Sequence, residues 1–224
     1  MKKLIATLAA LSLGSTTPLM ADPISPEDYK TMHSMGCMLV QDCTDDVVEI
    51  TSLADIESYY GQAYPDTIRD EFDAIVRASN DVGVKVFIAD NKYFPALHRG
   101  VYHTVGNNFF LNDSFMVNPG TLMSVLRHEG WHAAQDCMAG SIENPFLGII
   151  HNEEDVPFMW RDVVANTYDE NVRPWEAEAF WAGHTENMTR VALEACASPT
   201  PMWETYSPTP MTQEWLVDNG YITR

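Results

Sequence analysis

Basic residues are scarce in this sequence: 13 lysines and arginines stand against 32 aspartates and glutamates, a formal net charge of −19 over 224 residues. A chain so acidic repels phosphate backbones, which argues against nucleic acid as a partner. Cysteine is also sparse, at four. No two of the four are spaced as C-x-x-C, which counts against a four-cysteine zinc site. Beyond the N-terminus no apolar run is long enough to predict a transmembrane helix. Nor is there a long internal repeat, so stacked-repeat architectures are not expected.

What is present begins at the N-terminus. Met1-Lys2-Lys3 leads into a nearly unbroken apolar stretch from Leu4 to Gly14 and then small residues up to Ala21, the layout of a secretory signal peptide. The run is too short for a lasting anchor, so cleavage after Ala21 and no stable membrane insertion are expected. The mature protein is then secreted or periplasmic. About 200 residues remain, enough for one sizeable core. In an oxidising compartment the four cysteines predict two disulfides, and three pairings are open to the sequence. The favoured pairs are Cys37–Cys43, closing a short loop, and Cys137–Cys196, joining two distant segments.

Residues 22–60 read as an irregular N-terminal extension. A helix is expected from about Pro65, where Ile68, Phe72, Ile75 and Val76 recur at helical spacing. Val84 to Ala89 reads as a strand, and Gly100–Thr104 with Asn108–Asn112 as a hairpin around the Gly106-Asn107 turn. Asn118-Pro119 marks a helix start, Leu122, Val125 and Leu126 follow as its apolar face, and Gly140 offers the stop. Another helix is expected within residues 153–166, and a longer one from about Pro174 to Cys196. Residues 198–224 form a Pro-rich tail whose two Ser-Pro-Thr-Pro copies predict an extended strap. The domain proper is expected over residues 61–197. Two sequons, at Asn112 and Asn187, would matter only in a host that glycosylates.

The chemistry concentrates in Arg127-His128-Glu129-Gly130-Trp131-His132-Ala133-Ala134-Gln135, which carries H-E-x-x-H inside a predicted helix. Residues four apart share a helix face, so His128 and His132 can close on one metal ion while Glu129 reaches a water beside it. Zinc suits such ligands and lowers the pKa of a water that it holds. Glu129 would then serve as general base and return the proton to a leaving amine.

A third ligand must come from elsewhere, and Arg173-Pro174-Trp175-Glu176-Ala177-Glu178-Ala179-Phe180 offers two glutamates, with His184 two turns on. H-E-x-x-H followed by E-x-E-A on a later helix resembles the gluzincin group of zincin metallopeptidases, including small extracellular zincins with H-E-x-x-H-x-x-Q, whose last position Gln135 matches. The resemblance covers residues of about 120 to 190. It implies zinc held by His128, His132 and Glu176, Glu129 as base, and peptide or protein as substrate. Those peptidases carry an acidic residue four places after the ligand glutamate, and Phe180 stands there in this chain. Glu178 and His184 therefore stay open as alternatives to Glu176. The chain also resembles proteins of marine phages and bacteria, which implies no function.

The resemblance further implies a zincin-like α+β domain, with a small, mostly antiparallel sheet packed on the motif helix and a second, ligand-bearing helix. An edge strand ahead of the motif helix would hold extended substrate, and Asn108–Asn112 occupies the matching place. His151 and Tyr168, between the two ligand segments, are candidate oxyanion donors. Two other outcomes stay open: a zinc-bearing binding module without catalysis, and hydrolysis of a cell-wall cross-link.

Overall fold

The computed structural model describes residues 26–224, and the expected signal segment, residues 1–21, lies outside the described residues. Among the described residues the chain is α+β, with ten helices and one four-stranded mixed sheet. In order these are α1 (Pro26–Leu39), β1 (Val47–Ile50), α2 (Leu53–Tyr60), α3 (Asp66–Asp81), β2 (Lys85–Ala89), β3 (Gly100–His103), β4 (Asn108–Asn112), α4 (Asp113–Met116), α5 (Pro119–Met138), α6 (Phe158–Ala165), α7 (Arg173–Gly183), α8 (Met188–Cys196), α9 (Met202–Thr205) and α10 (Pro210–Asp218).

The strand order is β1-β2-β4-β3. β1 pairs antiparallel with β2, β3 antiparallel with β4, and β2 parallel with β4. Period-two alternation assigns the two faces. Val86, Ile88, Phe109 and Leu111 join Phe72 and Ile75 of α3 and Leu122 and Leu126 of α5 in the main core. Ala89, Val101 and Phe110 face the other way and pack with Met38 of α1 and with Tyr93 and Phe94. Fully burying a Phe, Leu or Ile side chain contributes about 1.5–3 kcal/mol, so this two-sided packing fixes the register.

Several sequence expectations need correction. Residues 26–60 are not irregular: they form α1, β1 and α2, and β1 is a strand of the sheet, so the expected boundary at residue 60 cuts through the fold. The Pro-rich tail is not a strap either. Pro201 precedes α9 and Pro210 occupies the first turn of α10, where a missing N–H costs nothing. Thr209 and Thr212 bond to the backbone of Ile149, and Met202 and Leu216 are buried, which ties the tail to the domain. The expected long helix breaks into α7 and α8. Asn187 adopts a left-handed φ of 62° and gives its N–H to Glu71, whose carboxylate also grips Arg127 of α5. Finally, β4 is a central strand and β3 is the edge.

The hairpin is as expected, and so are both disulfides. Cys37–Cys43 spans a Cα–Cα distance of 5.2 Å and Cys137–Cys196 one of 6.0 Å. Paired cysteines fit an oxidising, extracellular environment. Among the described residues no helix is long and apolar enough to cross a membrane. Of the two sequons, Asn112 is fully buried and donates to Asn91 and His98, whereas Asn187 is exposed.

Candidate metal centre

α5 starts where the sequence says it should. Asn118 caps it by accepting from the Thr121 N–H, with Pro119 in the first turn. Its second half, from Glu129 to Met138, is buried on nearly every side because α3, α7, α8 and β3 all pack against it. Gly130, inside the motif, lets α8 approach: a Cβ there would lie 2.9 Å from Thr189 Cγ2. Thr189 in turn donates its hydroxyl to the Arg127 carbonyl.

α7 crosses the other flank of α5 and brings Glu176 to the motif. One ligand atom from each of His128, His132 and Glu176 lies within 4.8 Å of the other two, so the group could hold a metal ion. His128 Nε2 is 3.4 Å from Glu176 Oε2, and His132 Nε2 is 3.7 Å from Oε1. Neither separation is that of a good hydrogen bond, and Oε2 is buried with no hydrogen-bond partner among the described residues. A carboxylate with one orphaned oxygen, set against two imidazole nitrogens, is a donor set that a divalent cation would complete. Burial opposes charge on all three groups. Glu176 nevertheless keeps its carboxyl below the usual range through His128 and His132, and His128 is raised through Glu176 and Glu129. His132 is lowered, by burial first and by the charge of His128.

Glu129 stands beside this group and outside it. Burial pushes its carboxyl up to about 7, and the Glu176 charge adds to the rise; His128 and the Tyr102 backbone work against it. The Tyr102 backbone belongs to β3, so the edge strand of the sheet runs alongside Glu129. The two are so close that a Cβ on Gly100 would lie 2.8 Å from Glu129 Oε1 and 2.8 Å from Val125 Cγ1. Only glycine leaves the glutamate its place.

Among the alternatives, Glu178 turns away from the ligand group. It is fully buried and accepts from Trp131, Gln135, Ile150 and His151, while burial pushes its carboxyl up to about 7. His184 is exposed, stacks on Trp160 at 4.3 Å and bonds the Phe180 carbonyl, so it is not part of the group. Phe180 itself meets the His128 ring edge-to-face at 5.0 Å. The two oxyanion candidates separate as well. His151 stacks behind Trp131 and feels Asp155, whereas Tyr168 faces Glu176 and Glu129, whose charges, after burial, raise its pKa. His98, to which the sequence assigns no role, also feels the charge of Glu176 and keeps a buried Nδ1 without a partner among the described residues. No local pattern marks it. Its place depends on Asn112, which binds the His98 carbonyl from 14 residues away.

A second buried carboxyl lies farther along α5. Asp136 Oδ2 accepts from the Tyr102 hydroxyl at 2.6 Å, and burial pushes the group up to about 8 from 3.8 against that hydrogen bond. The folded state therefore holds a proton that the unfolded chain releases. Stability is lost as pH rises between those values, at up to about 1.4 kcal/mol per unit. Asp136→Asn keeps an acceptor for Tyr102 and has no charge to bury. In urea unfolding the variant should gain on the wild type between pH 5 and pH 8, and an equal difference at both would mean Asp136 is ionised throughout.

Comparisons of this chain with protein-family models, with curated proteins and with solved structures returned no match.

Proposed function

We propose that this chain is an exported, zincin-type zinc metallohydrolase that cleaves amide bonds in an extended peptide. The observation that carries the reading is the convergence of His128, His132 and Glu176 with a separate, buried Glu129 at the same place. His128 and His132, through Nε2, and the Glu176 carboxylate would hold zinc. When bound, zinc supplies Lewis acidity that polarises a carbonyl and makes water a stronger acid.

The protein's own groups do the rest. β3 offers its free edge to the substrate backbone, which binds as an added strand and presents its carbonyl beside Glu129. Glu129 takes a proton from the attacking water at its carboxylate and delivers it to the departing amine nitrogen. Its place beside the ligand group and the β3 edge puts it within reach of both the water and the amine. The Tyr168 hydroxyl, facing Glu129 and Glu176, donates to the oxyanion that forms as the carbonyl is attacked. Export rests on the signal-like N-terminus and on the two disulfides.

Elemental mass spectrometry tests the metal. About one zinc per chain is expected, abolished in His132→Ala and Glu176→Ala and retained in Glu178→Ala. Protein purified without chelator that holds no zinc, and takes up none on addition, sinks the reading.

A further inference from the structure

We infer that Gln135, clamped by Glu178, is a positioning residue that fixes the tautomer of His132. The inference starts from the amide of Gln135. Its Nε2 lies 2.7 Å from Glu178 Oε2 and 3.1 Å from the Trp175 carbonyl oxygen. Both partners are acceptors, and an amide nitrogen has two N–H groups to give them. Turning the amide over would set its oxygen against two other oxygens in a buried site. The orientation is therefore fixed, and Oε1 is the atom that faces His132 Nδ1 at 2.8 Å. Since that oxygen only accepts, Nδ1 must carry the proton. A neutral imidazole protonated at Nδ1 has its lone pair at Nε2, the nitrogen that points to Glu176.

Glu178 holds the amide firmly because it cannot exchange roles with it. Oε2 also accepts from the Trp131 indole N–H at 3.2 Å and the Ile150 N–H at 3.3 Å, and Oε1 accepts from the His151 N–H. Every group around this fully buried carboxylate is a donor. Phe180, by contrast, offers His128 only a ring edge and can orient nothing through a hydrogen bond. The chain thus runs from Glu178 on α7, through Gln135, to His132, both on α5. The tautomer stands independently of any metal; its consequence for zinc affinity rests on the proposed function.

Long-range proton–nitrogen correlation NMR on the metal-free protein at pH 8 reads the tautomer directly. In the wild type His132 should show a protonated Nδ1 and an unprotonated Nε2. Gln135→Met, similar in volume but unable to accept, should release the ring to a mixture or to the Nε2–H form. Chelator competition should show zinc affinity lowered ten- to a hundredfold in Gln135→Met. Protonation of His132 on Nε2 in the wild type overturns the inference, and that spectrum decides even if a variant fails to fold. So does an unchanged tautomer in a folded Gln135→Met. A fixed tautomer in a protein that never binds zinc would uphold the positioning and reject the metallohydrolase.

Discussion

Glu129→Gln should lower peptide hydrolysis by about two to four orders of magnitude while zinc content stays at the wild-type level. Glutamine has the same shape but cannot take a proton, and Glu129 is not among the three groups that converge as ligands. The large expected ratio follows from its isolation. Glu129 is 6% exposed, lies against the β3 edge at Gly100, and has no neighbouring carboxylate free to replace it, because Glu176 faces the two imidazoles. The measurement is turnover of a peptide library by wild type and variant, each at matched zinc occupancy. Equal turnover would remove Glu129 from the base role. Zinc retained by both proteins with no turnover by either would instead favour a binding module that keeps the metal and does no hydrolysis.

The second large effect is on stability. Replacing Cys137 and Cys196 by alanine should cost about 4 kcal/mol, because the bridge closes a loop across a sequence separation of 59 and restricts the unfolded chain accordingly. Removing Cys37–Cys43, with a separation of 6, should cost about 2 kcal/mol on the same reckoning. Urea unfolding of the two double variants gives the comparison. The longer bridge joins the C-terminal ends of α5 and α8, which lie side by side with Thr189 bonded to Arg127 at the other end. His128 and His132 lie between these two ties. Stability should therefore fall while zinc stoichiometry is preserved. An order reversed between the two bridges would place their effect in the folded state rather than in chain entropy.

What could be read from the sequence was local. The cap at Asn118, the motif on α5 and the hairpin turn at Gly106-Asn107 each depend on residues within a few positions of one another. The features that escaped it depend on distant partners. α7 and α8 separate because Glu71, 116 residues from Asn187 in the chain, captures its N–H. The tail becomes helical because Ile149 offers its backbone to Thr209 and Thr212. β4 is central because β2 pairs with it in parallel, and a parallel pairing leaves no turn signal in the sequence. On paper only the resemblance favours Glu176 over Glu178. Two residues apart on a helix, they point in different directions, and only the neighbours of α7 distinguish a carboxylate facing two imidazoles from one surrounded by N–H donors.

The position of β3 has one more consequence. An edge strand left open is a template for any extended chain, including the same strand of another copy of this protein. Here the edge is only four residues long and has Glu129 alongside it, and the molecule carries a net charge of −19. Mutual repulsion between copies then guards against self-assembly at a surface whose openness the proposed reaction requires, and that protection weakens wherever acid or salt cancels the charge.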